Sequence, residues 1–118
     1  MGTFRLMRAY DPPDGGYRIL VDRLWPRGLA RDRARLDDWA KDAAPSTELR
    51  TEFGHRPERF AEFREHYLRE LDDGPASAGA ERLRSIGARE ADVVLVYAAR
   101  DTERNHARVL KEYLELRR

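Results

Sequence analysis

The chain has 118 residues, no cysteine, and 23 basic against 22 acidic side chains, for a net charge of +1. That length suits one domain with its own core, and the missing cysteines exclude disulfides, a thiolate nucleophile and any cysteine-based zinc or iron–sulfur centre. Charged residues make up 38% of the chain, and their near balance points to solvated, salt-bridged helix faces, so any affinity for anions has to come from local clustering.

Apolar and basic residues alternate roughly over Phe4–Tyr10, which predicts a short strand. Asp11-Pro12-Pro13-Asp14-Gly15-Gly16 is a turn signal. The connection is too short for a helix. That favours antiparallel pairing of the first two strands, because a parallel crossover ordinarily needs a dozen or more residues. Tyr17–Arg23 reads as a second, central strand. It runs into Val21-Asp22-Arg23-Leu24-Trp25-Pro26-Arg27-Gly28, where proline and glycine demand a turn. Two arginines and an indole are thereby presented at the carboxyl end of a strand, where open α/β sheets hold their ligands.

Arg31–Ala43 is predicted helical, with Leu36, Trp39, Ala40 and Ala43 on one face. Ser46 is a good N-cap for a short helix carrying Leu49 and Phe53, which Gly54 ends. Pro57 opens the next helix, whose apolar stripe is Phe60, Phe63, Tyr67 and Leu71. Asp72–Gly79 reads as a polar, small-residue loop, and Ala80–Ile86 as a short helix closed by Gly87. Asp92–Ala99 is a continuous apolar strand, the pattern of a parallel strand buried on both faces. Arg100-Asp101-Thr102 is a turn, and the last helix starts at Thr102 or Glu103 with His106, Val109, Leu110, Tyr113 and Leu114 inward. The predicted fold is α/β: a single small domain with a short, mostly parallel sheet of three or four strands flanked by helices. The strands ending at Arg23 and Tyr97 are parallel neighbours. The longest apolar run, Val93–Ala99, is too short to span a bilayer. Met1–Leu6 lacks the layout of a signal peptide. A cytoplasmic protein without membrane contact is the expectation.

Two strand ends then face one rim. One supplies Arg23, Trp25 and Arg27; the other supplies Tyr97, Arg100 and Asp101, followed by a helix N-terminus with unpaired N–H groups. Asn105 and His106 lie in that first turn. Arginine binds phosphate or carboxylate in a bidentate way, and an indole stacks on a base or sugar. His106 or Asp101 is the candidate general base, with Asn105 beside them. Lys41, Ser46 at a helix start, and His55 in the turn after Gly54 complete the candidate ligand groups. Each has a structural alternative: Arg23 as the partner of a helix acid, Trp25 as a core plug, Asp101 as a helix cap, His106 as a core histidine. The three histidines lack metal-ligand spacing, so no metal is expected. No nucleophile elbow and no phosphate-binding loop ending in Lys-Ser/Thr is present, and no cofactor is expected.

At these residues the chain resembles domain-of-unknown-function family 488, in its YeaO-like branch. The matching pieces are Val21–Gly28; Trp39-Ala40-Lys41-Asp42 and Ala44–Arg50; Phe53-Gly54-His55; Phe63-Arg64, Tyr67 and Glu70-Leu71; Tyr97–Asp101; and Asn105-His106-Ala107 with Val109-Leu110. The resemblance implies a small α/β fold and a polar site built from these blocks. Many members of the wider superfamily carry a Cys-His-Arg motif opening the last helix. Asn105-His106-Ala107 stands there in this chain, which implies different chemistry or none. Two functions are therefore expected: an enzyme acting on a nucleotide, nucleobase or phosphorylated small molecule, or a non-catalytic binding module for a phosphate-bearing ligand or nucleic-acid end. A third reading is a structural domain whose arginines pair internally. An anionic small molecule is the expected partner. A nucleic-acid partner would extend onto Arg31, Arg33 and Arg35, a basic stretch diluted by Asp32, Asp37 and Asp38.

Overall fold

A computed structural model describes residues 3–116. Strands β1 (Thr3–Arg8), β2 (Tyr17–Leu20), β3 (Asp38–Trp39) and β4 (Asp92–Tyr97) form one sheet in the order β1-β4-β2-β3, every neighbouring pair parallel. Val93 to Val96 have no exposed surface, as their unbroken apolar run requires of a central strand. Their side chains alternate between the two faces. Val93 and Leu95 join Phe4, Ile19 and Val21 in the main core, and Val94 and Val96 join Leu20 and Ala9 in a smaller one behind the sheet.

The main core is roofed by α2 (Thr47–Phe53), α3 (Phe60–Asp73), α4 (Ser77–Arg89) and α5 (His106–Leu116). Phe63, Tyr67 and Leu71 of the α3 stripe are buried. The opposite face is covered mostly by loop residues: Trp25, Leu29 and Leu36, with Trp39 and Met7 from the strands, and the single turn α1 (Arg31–Ala34) above them. No described helix is long and apolar enough to cross a membrane.

The sheet departs from the sequence reading in its first connection. β1 and β2 do not pair; each lies parallel to β4, on either side of it. Residues 9–16 therefore cross over β4 without a helix. Fully extended, a segment of that length reaches roughly 25–30 Å, enough to run back along a strand of roughly 20 Å. Arg5 ties the crossover down, donating to Asp14 Oδ1 at 2.9 Å and, on β4, to Asp92 Oδ1 at 2.8 Å.

The predicted helix over Arg31–Ala43 is also replaced. α1 stops after one turn because Arg35 turns left-handed (φ 47°, ψ 49°). The chain then serves the open edge of β2. Asp37 N donates to Arg18 O at 2.8 Å, Ala40 N donates to Leu20 O at 2.7 Å, and the Asp37 carboxylate accepts from Arg18 N. An edge with unpaired backbone groups is costly to bury, and that tertiary demand outweighs the helical spacing. A 3₁₀ turn, Lys41–Ala43, follows.

The predicted loop at Asp72–Gly79 is mostly helix: α3 runs to Asp73 and α4 begins at Ser77. Gly79 and Gly87 are contact points instead of breakers. A Cβ on Gly79 would lie 2.3 Å from the Asp42 carbonyl carbon, and one on Gly87 would lie 2.5 Å from the Phe4 ring. Both glycines let α4 approach its neighbours more closely than any side chain allows.

Candidate functional site

The carboxyl ends of β2 and β4 diverge just past Val21, whose N–H makes a last ladder bond to Val96 O at 3.0 Å. Asp22 then takes over from the ladder: its Oδ2 accepts from Ala98 N at 3.1 Å. Arg8 fixes the other side, donating to Ala99 O at 3.0 Å and Ala98 O at 3.2 Å. Between these strand ends, α2 and the start of α5, a cleft of about 480 Å³ opens. Its apolar wall includes Phe53 and Phe63, stacked with centroids 4.5 Å apart, together with Leu24 and Pro45.

Three arginines line the cleft: Arg23, Arg50 and Arg100. Arg23 is anchored by backbone carbonyls, donating through Nε to Pro45 O at 3.0 Å and through Nη2 to Ala44 O at 3.4 Å. Among the described residues none of the three has a carboxylate within ion-pair distance. The two acids of the cleft are engaged elsewhere. Asp101 Oδ1 accepts from Glu103 N at 2.9 Å and Arg104 N at 3.0 Å, and its other oxygen lies 3.5 Å from Arg104. The Arg104 and Glu103 amides hold the Asp101 carboxyl below the usual carboxylate range, which weakens it as a base. Asp22 lies against His106, whose Nε2 is 3.0 Å from Asp22 Oδ1 and 3.1 Å from Val21 O. The angle favours the carbonyl, so Asp22 Oδ1 lies close to the ring nitrogen with no full hydrogen bond of its own.

The last helix begins at His106, later than the sequence suggests, because Asn105 and not Asp101 caps it. Asn105 Oδ1 accepts from Arg108 N at 3.0 Å and its amide donates to Asp101 O at 2.8 Å. With both ends of its side chain used and 1% of its surface exposed, Asn105 shapes the loop. Asp101 instead clamps the preceding turn.

Six of the sequence candidates meet in the cleft: Arg23, His55, Arg100, Asp101, Asn105 and His106. His55 stands at its lip in a left-handed conformation (φ 57°) directly after Gly54, the left-handed cap of α2. Five candidates lie elsewhere. Trp25 passes behind the sheet, donates to Leu29 O at 2.7 Å, and packs edge-on against Trp39. Arg27 is exposed beyond it, with its carbonyl accepting from Tyr10. Lys41 Nζ sits 4.0 Å from the centre of the Trp39 ring. Ser46 caps α2, accepting from Leu49 N at 3.2 Å, but Glu70 already occupies that helix start, accepting from Ser46 N and Oγ. Tyr97 is buried in the main core, and burial pushes its phenol upward.

The residue-level reading missed Asp22, Arg50 and the phenylalanine wall as site components. Arg50 was legible in principle: it precedes Phe53 by three residues, which puts the two on neighbouring positions of one helix face. Outside the cleft, Glu52, Glu62 and His66 bring three metal-capable atoms within 4.8 Å of one another on α2 and α3. Its two acids are exposed, an ordinary arrangement for solvated carboxylates.

The family described as "Inactive DUF488-N3 subclade" matches residues 3–117. The uncharacterized protein Rv3073c of Mycobacterium tuberculosis is 46% identical over 112 residues, 93% of this chain and 92% of that protein. The uncharacterized protein YeaO of Escherichia coli is 46% identical over 109 residues, 91% of this chain and 92% of that protein. No solved structure matches.

Proposed function

The chain belongs to the inactive DUF488-N3 subclade, and from that premise we propose that it is a binding protein whose cleft holds a small anionic molecule with an apolar body, without turnover. The observation that carries this reading is the set of three arginines, Arg23, Arg50 and Arg100, lining one cleft with no carboxylate partner of their own. Guanidinium groups left unneutralised beside a low-dielectric wall attract carboxylate or phosphate. The Phe53–Phe63 wall suits an apolar or aromatic remainder. Among the described residues no hydroxyl, thiol or amine side chain lines the cleft. Its two carboxylates are engaged by backbone amides, Asp101 by Glu103 N and Arg104 N and Asp22 by Ala98 N, and the family is described as inactive, which together favour binding without turnover.

Thermal shift against phenyl phosphate and nucleoside monophosphates tests the proposal. A ligand at about 100-fold over its dissociation constant stabilises by about 2.7 kcal/mol, a rise of roughly 10 °C for a domain of this size. Arg50→Ala, at about tenfold weaker affinity, should remove about half of that rise. Stabilisation that survives loss of both Arg50 and Arg100 would place the anion elsewhere.

A further inference from the structure

Donors and acceptors in the cleft are unevenly matched. Its arginines offer N–H groups and no acceptor. The acceptors along the same walls are mostly taken: Pro45 O by Arg23, Ala98 O and Ala99 O by Arg8, Asn105 Oδ1 by Arg108 N, and Asp101 by its own loop. His106 differs. Its Nε2 faces two groups that only accept, Val21 O and the Asp22 carboxylate. In the neutral imidazole, Nε2 therefore carries the hydrogen and Nδ1 keeps the lone pair. Nδ1 has no protein partner among the described residues and is not enclosed, and His106 lines the cleft. An anion alone would meet that lone pair with repulsion.

From this geometry we propose that the ligand carries an O–H or N–H donor together with its anionic group, the chemistry of a hydroxy acid or an amino acid with an apolar body. His106 Nδ1 receives the donor, and Asp22 is the residue that positions the ring. Asp22 suits that task because Ala98 N holds its second oxygen, so the ring is referenced to both strand ends. The inference rests on the anion-binding reading above.

Calorimetry with matched probes at about pH 8, above the ordinary histidine range, separates the two. 3-Phenylpropionate offers ring and carboxylate, 3-phenyllactate adds a hydroxyl, and phenylalanine adds an ammonium group. In the wild-type chain the two donor-bearing probes should bind roughly five- to tenfold tighter than 3-phenylpropionate, the worth of one hydrogen bond. His106→Phe should bring all three to one affinity, Asp22→Asn should narrow the gap, and Arg50→Ala should weaken all three alike. Equal affinities in the wild type overturn this inference and leave the anion reading standing. Failure of all three to bind overturns this inference, and failure of phenyl phosphate beside them overturns the anion reading as well. Should His106→Phe not fold, nitrogen NMR of the wild-type chain decides. The His106 Nδ1 resonance should move with 3-phenyllactate and not with 3-phenylpropionate; the same movement with both overturns the inference.

Discussion

The stretch Val21–Gly28 divides its residues between two sides of the sheet, and the two sides treat cations differently. Arg23 turns into the cleft, where backbone carbonyls hold it and no acid neutralises it. Behind the sheet, cations are matched by aromatic rings: Arg31 lies 4.4 Å from the Trp25 ring centre, and Lys41 4.0 Å from that of Trp39. The buried Arg18 donates through Nε to Ala34 O and through Nη1 to Met7 Sδ, and its Nη2 is enclosed without a partner among the described residues. Proximity in sequence therefore says little about availability. A cation is free to bind a ligand only where the fold gives it a rim and denies it a partner.

Substitutions on the two sides should separate stability from ligand binding. The largest stability effect belongs to the rear face: Trp25→Ala should cost about 3 kcal/mol, read as a fall in urea midpoint, with affinity for phenyl phosphate unchanged. Asp22→Ala comes next, at roughly 1–3 kcal/mol, because it strands Ala98 N and the His106 contact. Loss of affinity with full stability retained would contradict its role between the strand ends. Arg50→Ala or Arg100→Ala should shift stability by less than about 0.5 kcal/mol while weakening phenyl phosphate binding by about tenfold. Lys41→Ala should cost at most about 1 kcal/mol, the worth of an exposed cation–π pair, and leave the cleft untouched.

The smallest effect concerns acid. Backbone amides depress Asp101 in the folded chain, so its contribution is present above the ordinary aspartate range and lost as pH falls through the lower folded value. The midpoints of wild-type and Asp101→Asn chains should converge below about pH 4. A constant gap between them at all pH values would show that the charge plays no part.

Much of the frame was legible from residue pattern. The unbroken Val93–Val96 run marks a central parallel strand, and the Phe63-Tyr67-Leu71 stripe marks a packed helix, because burial there is continuous with local periodicity. Ser46 and Gly54 bound α2 by local capping chemistry. What stayed hidden depends on contacts distant in sequence. β3 is two residues long and exists because β2 has an edge to fill. Ser77-Ala78-Gly79 reads as a linker until Asp42 arrives against Gly79. In the site, Arg27 reads as a neighbour of Arg23, but Trp25 is drawn behind the sheet by Trp39 and takes the chain away from the cleft. Arg50 reads as a solvated helix arginine because nothing local reveals the strand ends opposite it.

The central claim is that unpaired arginines on one side of the sheet make the cleft an anion site. Its most direct test is calorimetric titration of phenyl phosphate into the wild-type chain, the Arg50→Ala/Arg100→Ala chain and the Arg27→Ala/Lys41→Ala chain. One saturable site is expected in the wild type and in the rear-face variant, and its loss in the cleft variant. Binding that survives in the cleft variant and disappears from the rear-face variant would contradict the account.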